Sequence, residues 1–337
     1  MSRVGPGPAD AGIRTRTLPN IMSRGVLFMN EEYAHDFDMI VDQAKALDRP
    51  VRVVVAGAEV ENILQGLFDA QADGFVEPIL VGNYKKIKTM LENLVLADRE
   101  YDLQPVSNDV NVVQYAIDMI LAGSADVLMR GNTQTRDFLM PILNKSNHLV
   151  EEGIMTHVVM VKIPNYDKIL SISDVTILVE PSIQQRKAVV ANMVRALKVF
   201  GVEHPNIALL SLVEKPSFHM RDTVEAQTIV RDHEDEPIAD CNLVGPIPYD
   251  LIVSKEAARL KSYDCPYCGE FDGIVVPNLM SGNLLIKSLQ MNARANSCGI
   301  IVGAKIPIAI TSRSDSKEQA YLSLAACACL AQQKKLK

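Results

Sequence analysis

From Val51 onward the chain alternates short β-branched runs with amphipathic stretches of helical length, and this alternation most narrows what it can fold into. Val51–Ala56, Pro78–Val81, Asp126–Met129, His157–Ile163, Asp174–Val179, Asn206–Leu212, Gly273–Val276 and Gly299–Val302 read as buried strands. Between them, Asn108 is placed to cap a helix with Val112, Tyr115, Met119 and Ile120 on one face and a stop at Gly123. Ser182 and Gln185 have capping-box spacing ahead of Val189, Met193, Leu197 and Phe200, with Gly201 as the stop. Strands alternating with helices of this length predict a mostly parallel sheet covered on both faces. The runs are too many for one small sheet, so two α/β/α layers are expected.

Length and charge agree with that reading and remove others. The 337 residues suggest two domains at roughly 150 residues each. With 48 % hydrophobic and 22 % charged residues the composition is that of a globular protein. No apolar run reaches the ~18–20 residues of a membrane span. The 34 Lys+Arg against 41 Asp+Glu give −7 without a basic block, which argues against nucleic-acid binding and makes any anion site local. Six cysteines with no signal-like segment before them predict a cytoplasmic setting. Residues 1–21, rich in Gly and Pro and without apolar periodicity, are expected to be a disordered leader.

In open α/β sheets, ligands meet loops beyond strand ends, where helix N-termini offer free N–H groups. Three such junctions stand out. Arg130, Gly131, Asn132, Thr133, Gln134, Thr135 and Arg136 follow one strand; Asn278, Ser281, Gly282 and Asn283 follow another; Thr311, Ser312, Arg313, Ser314 and Asp315 follow a third, before a capping box of Ser316 and Gln319. Singly these are ordinary turn and cap residues. Together they offer arginines, hydroxyls and amides, a set suited to phosphate-bearing ligands.

Pro277-Asn278-Leu279 followed by Gly282-Asn283 resembles the Pro-(Asp/Asn)-Leu-x-x-Gly-Asn segment of the phosphate acetyltransferase and phosphate butyryltransferase family. Gly303-Ala304-Lys305-Ile306-Pro307-Ile308 running into Thr311–Ser316 is similar to its butyryl branch in particular. Further matches in consistent order are Pro164–Lys168, Ser173-Asp174, Pro181 with Gln184-Gln185, Thr223–Ala226 and Gly245-Pro246 with Asp250 and Glu256–Ala258. The resemblance implies transfer of a short acyl group between coenzyme A and inorganic phosphate, with no cofactor and no metal. It implies two α/β/α three-layer domains akin to isocitrate and isopropylmalate dehydrogenases, with the site in the cleft between them and assembly as a homodimer or higher homo-oligomer. On that pattern domain I holds residues 22–148 plus 303–337, and domain II holds 149–302.

The same resemblance implies site roles. Arg313 anchors phosphate, Ser312 donates to the oxyanion or the phosphate, and Asp315 and Glu318 are nearby substitutes for the base, Asp315 serving equally well as a helix-start residue. Arg130, Gly131, Thr135, Arg136, Asn278, Ser281, Gly282, Asn283, Lys305 and Ser314 bind substrate. Two positions depart from the family pattern: Gln319 stands where the acetyl branch has a carboxylate, and Met140 where an Arg is frequent, a Met that packing would equally explain. Alternatives are a protein that binds coenzyme A or acyl phosphate without turnover, and a metal- and NAD-dependent dehydrogenase of the related fold. Cys265-Pro266-Tyr267-Cys268 has the letters of a redox dithiol in the wrong context, between a helix and a strand. Cys327 and Cys329 belong to a core helix, and His219 and His233 are expected to be solvated.

Overall fold

Strand periodicity translates directly into packing in the computed structural model, which describes residues 36–107, 109–151, 153–312 and 315–335, all within the compact unit Glu31–Lys337. The expected leader, residues 1–21, and the proposed cap Asn108 lie outside the described residues. The first half runs α1 (Phe37–Lys45), β1 (Val51–Ala56), α2 (Glu61–Ala72), β2 (Val76–Gly82), α3 (Tyr84–Asn93), β3 (Asp102–Pro105), α4 (Val112–Leu121), β4 (Val127–Arg130) and α5 (Thr135–Leu143). Then come β5 (Thr156–Lys162), β6 (Ile169–Ser173), α6 (Ile183–Val199), β7 (Asn206–Leu210), α7 (Arg221–Asp235), β8 (Asn242–Ile247), α8 (Tyr249–Val253) and α9 (Lys255–Lys261). The chain ends with β9 (Gly273–Val275), α10 (Leu279–Asn292), β10 (Asn296–Val302), β11 (Ile308–Ala309) and α11 (Lys317–Lys335).

The strands do not separate into two sheets. They form one eleven-stranded sheet in the order β3-β2-β1-β4-β11-β10-β5-β6-β9-β7-β8. The pairs β11·β10, β10·β5 and β5·β6 are antiparallel and every other pair is parallel. Two blocks of parallel strands therefore run in opposite directions on either side of an antiparallel seam. Alternate residues along each strand face opposite sides, so Val53 and Val55 pack with α1, α2 and α11, and Val54 packs with α4 and α5. In the other block, Ile172 and Ile274 pack with α8–α10, while Ile207 and Leu209 pack with α6 and α7.

Local sequence chemistry explains the agreements and the corrections. The Ser182–Gln185 capping box forms as expected, and Gly201 follows α6 at φ 84°. The helix over Val112–Leu121 is capped by Asn111, whose side chain accepts from Val113 N–H and Gln114 N–H. Asp174–Val179 is not a strand. The Asp174 carboxylate accepts from the N–H groups of Thr176, Ile177 and Leu178 at 2.9, 2.6 and 3.1 Å, which curls the backbone into a turn. The strand lies just before it, at Ile169–Ser173. Cys327 and Cys329 are buried core residues, as read. Met140 is not core, being 58 % exposed on α5. His219 is exposed, but His233 is half-buried, its ring within 3.2 Å of Cys241 O and accepting from Ile238 N–H at 3.0 Å.

Candidate active site at the antiparallel seam

A cavity of about 120 Å³ opens on the sheet face between the cluster under α4 and α5 and the cluster under α8–α10. Its lining includes Arg130 at the end of β4, Thr135 at the start of α5, and Thr311, Ser312 and Asp315 after β11. His157 comes from β5, Thr176 from the Asp174 turn, Asn283, Lys287 and Gln290 from α10, and Ser297 and Gly299 from β10. That volume accommodates a small anion and a reacting group.

Arg130 organises the mouth. Its Nε and Nη2 donate to Thr133 O at 3.1 and 2.8 Å and its Nη1 donates to Thr311 O at 3.3 Å, so one guanidinium ties the first junction to the third. The close passage of these loops needs glycine: a Cβ on Gly131 would lie 1.9 Å from Gly57 O. In the third junction, Ser312 N–H donates to Asp315 Oδ2 at 2.7 Å and Asp315 N–H returns a bond to Ser312 O at 3.1 Å. Burial pushes the Asp315 carboxyl up, against the Ser312 N–H, Lys287 and Arg130, which favour its charge.

On the opposite wall, Lys287 Nζ donates to Gln290 Oε1 at 3.1 Å and Gln290 Nε2 donates to Ser297 Oγ at 2.9 Å. Gln319 reaches the same Ser297 Oγ with its Nε2 at 2.7 Å and closes its capping box with Ser316. Gln319 therefore holds a wall residue in place and does not itself line the cavity. His157 is buried. Its Nδ1 lies 2.7 Å from Thr176 Oγ1, and its Nε2 has no partner among the described residues. Desolvation first, then Arg130 and Lys287, lower its pKa to about 3, so the ring is neutral.

Of the residues singled out from sequence, Arg130, Thr135, Asn283, Ser312 and Asp315 converge on the cavity. Arg313 and Ser314 lie outside the described residues. Gly131, Arg136, Asn278, Ser281, Gly282 and Lys305 are not among the lining residues. Strand direction explains the second junction: β9 runs opposite to β4, so its loop leaves from the other end of the sheet, and α10 carries only its later residues back to the cavity. There Asn278 accepts from Ser281 N–H at 3.0 Å as the cap of α10. A Cβ on Gly282 would stand 2.9 Å from Asp174 O, so that glycine admits close packing. Arg136 and Lys305 are exposed, and Lys305 N–H donates to Leu149 O at 2.7 Å. Sequence reasoning missed His157, Thr176, Lys287, Gln290 and Ser297. The available signal was a histidine at the start of an otherwise apolar strand.

Among the described residues no group of three or more His, Cys, Asp or Glu side chains is placed to hold a metal, and no helix is long and apolar enough to cross a membrane. Cys265 and Cys268 are free thiols in the turn between α9 and β9, and burial and each other's proximity push Cys268 up to about 12.

The mixed α/β sheet thus carries at its seam a small cavity lined by Arg130 and Lys287, chemistry suited to a small anion. The family model "Phosphate acetyl/butaryl transferase" matches residues 102–329, and the chain belongs to that family of acyltransferases. It is 28 % identical over 295 residues to the phosphate butyryltransferase of Clostridium acetobutylicum, covering 88 % of this chain and 98 % of that protein. It is equally 28 % identical to the phosphate acetyltransferase of Thermotoga maritima, over 87 % of this chain and 99 % of that protein. A crystal structure of a branched-chain phosphotransacylase from Enterococcus faecalis superposes with TM-score 0.74 at 30 % identity, over 83 % of this chain and 99 % of that one. A 4-hydroxythreonine-4-phosphate dehydrogenase from Klebsiella pneumoniae shares the fold at TM-score 0.53 and 12 % identity.

Proposed function

We propose that the protein transfers a short-chain acyl group between coenzyme A and inorganic phosphate, acyl-CoA + phosphate = acyl phosphate + CoA, with butyryl-type substrates favoured over acetyl. The observation that carries this reading is the convergence of Arg130, Lys287, Ser312 and Asp315 on one small cavity. Relatives of both acyl specificities are equally similar, so the butyryl preference rests on the segment Gly303–Ser316.

The cavity takes phosphate and the thioester carbonyl, and the rest of the coenzyme lies outside it. The cations hold phosphate as an oxygen attacks the carbonyl carbon; Ser312 donates to the developing charge, and Asp315 relays the proton that phosphate loses to the departing thiolate. Arg313 is the phosphate anchor and Ser314 a neighbouring donor on the strength of the family motif alone. Holding both substrates together supplies much of the rate, since proximity contributes up to ~7–11 kcal/mol. On the family resemblance, the chain divides into domain I, 22–148 plus 303–337, and domain II, 149–302. The reaction needs no cofactor or metal, and it runs in a cytoplasmic homo-oligomer.

The test is release of free CoA thiol from acetyl-, propionyl-, butyryl- and isobutyryl-CoA, with and without phosphate, in metal-free buffer. Phosphate-dependent release, fastest with the four-carbon substrates, is the expected result. CoA binding without release would identify a non-catalytic binding protein and overturn the proposal.

A further inference from the structure

His157 has no assigned role in the reaction above, yet several separate features of the fold position it. Its backbone N–H donates to Asp174 Oδ2 at 2.6 Å, and the other oxygen of that carboxylate collects the amides of the turn carrying Thr176. One buried carboxylate thus fixes both the strand that bears the imidazole and the hydroxyl that meets its Nδ1. On the other side of the ring, a Cβ on Gly299 would stand 2.5 Å from Ile310 O and 2.8 Å from His157 Nε2, so glycine there lets both the neighbouring strand and the ring pack close. The ring is buried and lines the cavity, and its Nε2 has no partner among the described residues. A buried ring nitrogen left unpaired costs free energy unless something arrives to meet it.

We propose, resting on the acyl-transfer reading, that His157 is a catalytic residue whose Nε2–H donates a hydrogen bond to the oxygen that becomes negative as phosphate adds to the thioester. The electrostatics select this role over that of a base. Burial first, then Arg130 and Lys287, opposes a second proton on the ring, so the imidazole stays neutral and does not draw a proton from the thiol. A neutral imidazole carries one N–H, and the Thr176 hydroxyl meets either tautomer, donating to Nδ1 or accepting from it. The proposed role uses the tautomer in which Thr176 donates to Nδ1 and the proton resides on Nε2, which an anionic oxygen favours. Proton balance does not involve the ring. In HPO4²⁻ + RCO–S–CoA, the phosphate oxygen bonds the carbonyl carbon and the carbonyl π pair moves to oxygen, where it meets His157 and Ser312. The pair then returns, the C–S bond breaks, and the phosphate proton ends on the thiolate as HS–CoA.

The test compares H157L and H157Q with the unaltered protein in phosphate-dependent CoA release, with thermal melts to confirm folding. H157L is expected to lose about 10²–10³-fold in kcat, as for removal of one oxyanion donor, with the KM values for phosphate and acyl-CoA little changed. H157Q keeps an N–H donor and is expected to regain at least tenfold of that loss. A folded H157L with kcat within threefold of the unaltered protein overturns the inference, as does an H157Q no better than H157L. In protein labelled with ¹⁵N-histidine and saturated with inorganic phosphate, the His157 signals, assigned by their loss in H157Q, should show a protonated Nε2 and a bare Nδ1. The reverse tautomer also overturns it. If the unaltered protein releases no CoA, the acyl-transfer reading fails and takes this inference with it, whereas release that survives in H157L removes His157 alone.

Discussion

Among the described residues two arginines are buried, Arg130 and Arg186, and they do opposite things. Arg130 ends a strand, spends its guanidinium hydrogens on two loop carbonyls and still faces a cavity. Arg186, on α6, is wholly buried, and its guanidinium nitrogens make no hydrogen bond among the described residues; Glu225 is 3.8 Å away. Burial lowers its pKa, with Glu225 and Asp222 pulling the other way. Glu225 has a second cation in Arg221 at 2.6 Å, so it does not depend on Arg186. A buried charge is therefore no signature of a site. What distinguishes Arg130 is open volume beside it and other ionisable groups facing the same volume.

Four measurements would break or sharpen that contrast. The largest effect is expected for Arg130→Met, which removes a charge-assisted donor from the cavity and unties two junctions. CoA release should fall by about 10²–10³-fold with a higher KM for phosphate, and retention of full activity would erase the contrast. Asp315→Asn comes next, with a loss of about 10²-fold or more. The unaltered protein should show an acid limb in its pH–rate profile above the usual carboxylate range, because burial raises this group, and the variant should lack it. By linkage, the buried carboxyl favours folding when protonated and loses that contribution as pH rises.

The third measurement concerns the His157 ring, held neutral first by burial and then by Arg130 and Lys287. His157 titrates near 3 in the folded protein and near 6.5 when unfolded. Between those values only the unfolded chain takes up the proton, so stability falls as pH drops from about 6.5. Urea unfolding at pH 7 and pH 5 should show the unaltered protein losing about 1–2 kcal/mol more than H157Q over that interval. An equal loss in both would mean that the ring is not held neutral. The smallest effect is expected for Arg186→Met. Activity should stay within about twofold and stability should be unchanged or rise by up to about 2 kcal/mol, since burying that charge costs more than its weak pairing returns. A marked loss of activity would move Arg186 into the functional set.

The alternation that defined the strands was readable because apolar β-branched residues and capping boxes are local signals. Ser182 with Gln185 and Ser316 with Gln319 cap as their spacing implies. Three strands escaped, for local reasons: β3 is a half-exposed edge carrying Asp102 and Gln104, β6 was displaced onto the apolar run after Asp174 that forms a turn, and β8 contains Gly245-Pro246. The first and third junctions were legible because β4 and β11 are parallel neighbours, which brings their ends together. The second was only partly legible, because nothing local tells that β9 points the other way. His157 and Lys287 were hidden for the same reason. Their place in the site depends on three successive antiparallel pairings, of which β10·β5 joins segments far apart in the chain, 296–302 and 156–162.

Those pairings also set how the backbone beneath the site meets solvent. Ladders on both sides of β5 and β10 enclose their amides at the centre of the sheet. The cavity is built directly on these two strands, so its floor is also the line where the two strand blocks meet. The site therefore rests on the most enclosed part of the ladder, and the amides of Val158–Val161 and Cys298–Ile301 should be among the last to exchange with solvent deuterium.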